Sequence, residues 1–171
     1  MRSRVVALVA AALLVVVGTA GCGDDDGGGP AARPAVDQIA PAIAAVEAEL
    51  GGPQQYFEIN ATPQVVNLFV ADAAKTSVTP YVYVGGAVAE SGPSSSAEGN
   101  TFAAAAATFD PATILDGVTN ELPDPDIVVF TIVGGPGGAV QYTASVQSSE
   151  GGVLDVTIAA DGTVQEVDPG P

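Results

Sequence analysis

The chain has 171 residues, with 20 acidic side chains against 4 basic ones, no histidine and a formal net charge of −16. A surface this negative repels nucleic acid and excludes it as a partner. The missing histidine rules out Ser-His-Asp and Cys-His catalysis and imidazole metal sites. With a single cysteine, Cys22, no disulfide forms within the chain, so the core must hold by packing alone.

The chain opens with Arg2 and Arg4, then 13 uncharged apolar residues from Val5 to Val17, then Gly18, Thr19, Ala20, Gly21 and Cys22. A basic start, a short apolar run and small residues before a cut are the layout of an export signal over 1–21. Thirteen residues are too few to span a bilayer core, which needs roughly 20 as helix. The segment Thr19-Ala20-Gly21-Cys22 resembles a bacterial lipobox, departing from it at Thr19, where that family has leucine. The resemblance implies that Cys22 receives a diacylglyceryl group and becomes the new amino terminus, with palmitate-type acyl chains. The product is then a lipoprotein anchored to the cell membrane on its extracytoplasmic face. Two acyl chains anchor firmly where one binds only marginally. Ordinary secretion with a free thiol is the alternative. Removal of residues 1–21 takes away two arginines and no acid, so −16 becomes −18. The Ala, Gly and Val richness with little lysine resembles actinobacterial proteins.

Residues 22–34 combine the cysteine with Gly-Asp-Asp-Asp-Gly-Gly-Gly-Pro-Ala-Ala-Arg-Pro, which has no apolar periodicity and nothing to bury. The segment reads as a solvated acidic tether. Asp24, Asp25 and Asp26 lack the alternating acids and closing glutamate of a calcium loop. No cofactor or metal is expected.

The folded domain is expected over 35–171. Val36, Ile39, Ile43, Val46 and Leu50 make one apolar helical stripe, stopped by Gly51-Gly52-Pro53. Short strand-like runs follow at 56–61, 65–71 and 80–84, the last turning at Gly85-Gly86 into 87–90. An antiparallel meander is the economical topology. Residues 91–100 read as a loop, and 101–108, with five consecutive alanines, as helix by propensity or, preferably, as a returning strand. Asp110-Pro111 then opens a second helix, with Leu115, Val118 and Leu122 as its stripe. Residues 127–133 are apolar on both faces and read as a central strand, while 140–146 and 154–158 alternate as half-buried strands. Ala160-Asp161-Gly162-Thr163 is a tight hairpin turn.

The second half resembles the first at nearly constant spacing. Shifted by 72, Ile43, Val46, Glu49 and Leu50 meet Leu115, Val118, Glu121 and Leu122; shifted by 73, Ile59 meets Ile132. Shifted by 76, the hairpin 81–93 meets 157–169. The expected class is α+β: two tandem helix-plus-antiparallel-meander repeats, at about 36–93 and about 109–169, joined through 94–108 into one domain.

The run 142–146, 151–158 and 161–167 after a helix resembles the helix and three-strand pattern of PepSY-type domains, exported modules that inhibit or chaperone peptidases. The tandem helix-on-sheet plan also resembles the β-lactamase inhibitory protein family, although the cysteines of that family are absent. Both resemblances imply binding rather than turnover.

Residue chemistry agrees. Asp110, Asp124 and Asp126 sit at a helix cap or in a Pro-rich turn, without the aromatic platform that a glycosidase-like carboxylate pair needs. Tyr81 and Tyr83 alternate with Val82 and Val84, and Tyr56 shares a side with Glu58 and Asn60. These three tyrosines are the expected exposed partner surface, since tyrosine gives interface area while its hydroxyl stays wet. The expected function is a lipid-anchored, non-catalytic binding module for an extracytoplasmic protein or peptide. A carrier of a small apolar, lipid-like ligand at the cell envelope is the alternative, with calcium-dependent adhesion third.

Overall fold

The computed structural model describes residues 32–147 and 152–169. The expected signal at 1–21, Cys22 and the tether up to residue 31 lie outside the described residues.

The first helix forms where its apolar spacing requires. A 3-10 turn at Val36–Gln38 leads into α1 (Ile39–Glu49), which buries Val36, Ile39, Ala42 and Val46. Val36, Ile39 and Val46 of the expected stripe are buried, but Ala42 is buried in place of Ile43, which is half-buried, and Leu50 is exposed. Pro41 falls in the first turn, where its missing N–H removes no helical bond. Gly51 at φ 78° terminates the helix, and the N–H of Gly52 returns to the carbonyl of Glu47 at 2.8 Å.

Among the described residues ten strands follow: β1 (Gln55–Ala61), β2 (Val66–Ala71), β3 (Ser77–Val84), β4 (Ala87–Glu90), β5 (Ser95–Ser96), β6 (Phe102–Ala103), β7 (Asp126–Gly134), β8 (Val140–Gln147), β9 (Val153–Ile158) and β10 (Val164–Pro169). They form one sheet in the order β10-β9-β8-β7-β1-β2-β3-β4, with β5 beside β3 and β6 beside β1. Every pairing is antiparallel. The two inner strands meet with Ile59 opposite Ile132. Each carries a bulge, at Phe57 in β1 and Val128 in β7, where its pairing with the next strand outward shifts register. The extra residue resets the two-residue alternation, so Tyr56 and Ile59, and likewise Ile127 and Phe130, face the same side.

Two segments differ from expectation. The run 101–108 is neither a full strand nor a helix: Phe102–Ala103 is β6, and Ala104–Ala106 is a 3-10 turn. Five alanines are too few to pass the helix nucleation barrier, and Phe102, fully buried with its ring 5.9 Å from Tyr56, holds the segment against β1. The second helix is shorter than its apolar pattern implies. Asp110 caps only a turn, its carboxylate accepting the N–H of Ala112 at 2.9 Å, and helix α2 covers Asp116–Glu121.

Both helices cover the same face of the sheet, α1 over β2 and β4 and α2 against β10. One cluster of buried side chains runs from Val36 and Val46 through Ile59, Phe102, Phe130 and Ile132 to Val156 and Ile158. Phe109, Phe130 and Tyr142 close its middle, with ring centres 5.4–6.1 Å apart. Among the described residues, no buried side-chain nitrogen or oxygen lacks a hydrogen-bond partner. The class is therefore α+β, helices on one face of a large antiparallel sheet.

Candidate binding interface

The three tyrosines expected to form an exposed surface are turned inward, which corrects that expectation. Tyr56 is fully buried, and Tyr81 and Tyr83 are 9% and 8% exposed, within the core under α1. Their valine neighbours take the other face, and Val84 is 51% exposed. The tyrosine rings bring the larger apolar area to the covered side. Burial, the Glu47 carboxylate and the hydrogen bond to it push the Tyr56 hydroxyl well above its usual value. Burial, then Glu90 and Glu49, raise Tyr81.

The opposite face has no helix against it. One row of directly paired residues crosses all eight strands of the main path: Glu166, Thr157, Thr143, Thr131, Asn60, Asn67, Val82 and Ala89. Directly paired residues in an antiparallel sheet project on one side, and the alternate residues Ile59, Leu68, Ile132 and Ile158 are in the core, so this row lies on the uncovered face. Its six interior members are half-buried by their neighbours alone. Strand spacing of about 4.8 Å makes the row about 34 Å long.

The rows on either side are mixed. Gln141, Val133, Glu58, Phe69 and Pro80 lie on one side, and Asp168, Asp155, Ser145 and Val129 on the other. Hydrogen bonds tie the face down laterally. The Asn67 amide donates to Asn60 at 2.8 Å, the Asn60 amide donates to Glu58 at 2.9 Å, and the Ser145 hydroxyl donates to Asp155 at 2.7 Å. The face thus presents fixed amides and hydroxyls, the apolar side chains of Val133, Phe69 and Pro80 with Glu58 between the first two, and a corner of three acids, Asp155, Glu166 and Asp168. Sequence alternation predicts two faces, but no local signal marks which one the helices cover.

Among the described residues, no three acidic, cysteine or histidine side chains converge to hold a metal ion. Asp110 and Asp126 are on separate elements, and Asp124 is in a turn with φ 44°. Among the described residues, no helix is long and apolar enough to cross a membrane. Comparison with family models, curated proteins and solved structures finds no match to this chain.

Proposed function

We propose that this protein is a lipid-anchored, extracytoplasmic and non-catalytic binding module that holds a protein partner on the uncovered face of its sheet. The row of eight paired residues, one from each strand of the main path, carries this reading. At about 34 Å by about 20 Å, the face offers roughly 700 Å², close to the ~800 Å² per partner of a standard interface. The acidic corner at Asp155, Glu166 and Asp168 sets the complementary surface as basic. Cys22 supplies the anchor, and the lack of histidine throughout the chain fits contact rather than turnover. The aromatic packing of Phe109, Phe130 and Tyr142 fills the space an apolar ligand would need between helices and sheet, which favours contact over carriage.

The domain itself is a duplicated unit in this reading. The two halves join through Ile59 and Ile132, related by 73, at the centre of the sheet. The strand order is mirrored about that join, with β7 to β10 running outward on one side and β1 to β4 on the other, as two copies of one helix-plus-meander unit would leave it.

The test is site-specific photo-crosslinking in intact cells. A photoreactive residue at Thr143, on the open face, yields a discrete adduct, whereas one at Ala44, exposed on α1, does not. Equal labelling from both sites, or none from Thr143, would count against the reading. Mass spectrometry of the same membrane fraction finds Cys22 diacylated; an unmodified thiol would remove the anchor.

A further inference from the structure

We infer that an open cleft beside the amino-terminal end of β1 is a carboxylate-binding site, with Lys75 as its cation. The cleft measures about 390 Å³ and is lined by Gln55, Lys75, Asn100, Thr101, Gly135 and Gly137 among others. None of its lining residues is acidic, in a chain with 20 acidic residues. That volume is at the small end of ligand sites, which run from about 300 to about 1,000 Å³.

Lys75 is placed there by its loop. Asp72, the acid of the same turn, spends its carboxylate on the backbone N–H groups of Thr76 at 2.8 Å and Ser77 at 2.9 Å. Lys75 itself adopts the left-handed conformation, φ 59°, with its N–H returned to the Asp72 carbonyl at 3.0 Å. Its ammonium meets no carboxylate within 4.0 Å among the described residues, whereas Arg33, the other described cation, lies 4.0 Å from Asp116. The Lys75 ammonium instead donates to Gln55 Oε1 at 3.4 Å. The same oxygen accepts the hydroxyl of Thr101, 6% exposed, at 3.3 Å. Two donors on that oxygen fix the amide orientation and leave its NH₂ to donate elsewhere.

The cleft therefore offers the remaining ammonium hydrogens and an amide NH₂, a donor set that calls for a charged acceptor. A single cation in a strongly negative protein balances one negative charge, so a monoanionic carboxylate fits where a phosphate dianion would be repelled. Glycines shape the wall. A side chain at Gly134 would strike the carbonyl oxygen of Asn100, and Gly137 holds φ 70°. The site also lies at the far end of β1 from Thr62, whose carbonyl accepts the N–H of Ala35 where the tether meets the domain.

The experiment is an NMR titration of the ¹⁵N-labelled full-length protein with three probes: acetate, N-acetyl-Gly-Ala, and the C-terminal amide of that dipeptide. The free acid moves the backbone amides of Thr101, Gly135 and Gly137 at millimolar concentrations, and the amide does not. Lys75→Gln weakens the response roughly tenfold or more with an unchanged melting temperature. Tighter binding of the dipeptide than of acetate assigns the site to a peptide C-terminus; equal binding assigns it to small carboxylates. Equal responses to acid and amide, no response, or an unaffected Lys75→Gln variant would overturn the assignment. None of these outcomes touches the open face, so this test is independent of the crosslinking one.

Discussion

Tyr56 shows most clearly how a single group couples this fold to pH. Its hydroxyl lies in the core 3.5 Å from the Glu47 carboxylate, which also accepts the N–H of Gln54 at 3.1 Å. Ionising it would set a buried phenolate beside a carboxylate, so it stays protonated well above its usual value of 10. Burial raises Tyr81 and Tyr142 as well. In the unfolded chain all of them ionise near pH 10. Unfolding then releases protons above that pH, so the stability these groups contribute is complete below about pH 10 and declines as pH rises further. The urea midpoint should fall between about pH 9 and about pH 11, and less steeply in Tyr56→Phe. A flat profile, or the same slope in the variant, would contradict this account. Asp72 and Asp161 work in the opposite direction. Hydrogen bonds from Ser77 and Thr76, and from Thr163, hold their carboxyls below the usual range. Their contribution is present above about pH 4 and lost as pH falls below it. The tyrosines are also where sequence alternation misleads. It separates Tyr81 and Tyr83 from Val82 and Val84 correctly, yet the helix-covered face is chosen by packing against α1, which lies 32 or more residues earlier in the chain.

Between elements, α2 meets the β9–β10 turn at close range. Gly162 adopts φ 86°, its N–H returned to the Ala159 carbonyl at 2.9 Å, as the Asp-Gly pair of a tight turn requires. The turn then packs on α2 so closely that a Cβ at Gly117 would clash with the Gly162 carbonyl oxygen. Replacing glycine by alanine inside a helix ordinarily stabilises by about 0.5–1 kcal/mol. Here the sign inverts, because backbone rather than a flexible side chain must give way. Gly117→Ala should destabilise by about 1–3 kcal/mol in urea unfolding, and a variant as stable as the parent would contradict the contact. The same contact explains why the second helix departs from its sequence pattern. Leu115, Val118 and Leu122 give the spacing of a longer helix, but Gly117, Thr119 and Asn120 are weak helix formers. Capping at Asp110 therefore starts only a turn, and tertiary packing secures the short segment that remains. Helix α1, with alanine-rich sequence and clean stops, and the meander strands, bounded by Gly and Pro, were legible because their signals are local. The β1–β7 pairing and the residues lining the Lys75 cleft come together through contacts 20 to 80 residues apart, which no local pattern encodes.

Charge acts on the whole molecule at once. The chain carries 20 acidic residues against 4 basic ones, and the one ion pair among the described residues, Arg33 with Asp116 at 4.0 Å, is half-exposed on both sides. An exposed pair of that kind contributes little, so screening has almost no attraction to weaken and a broad mutual repulsion to relieve. The Debye length shortens from about 30 Å at 0.01 M salt to about 10 Å at 0.1 M, a range over which charges spread around a domain of this size stop sensing one another. Sodium chloride at these modest concentrations should therefore raise the melting temperature, where many proteins held by ion pairs would lose stability. The open face localises part of the effect, since Asp155, Glu166 and Asp168 gather at one corner with no cation beside them. Neutralising them together, as Asp155→Asn, Glu166→Gln and Asp168→Asn, should raise the melting temperature at 0.01 M salt and flatten its salt dependence. A melting temperature that falls with added chloride, or a triple variant with an unchanged salt slope, would show that the acids are not in net repulsion. In the proposed complex a basic partner supplies the same relief, so binding through this face should weaken with salt while the free protein grows more stable.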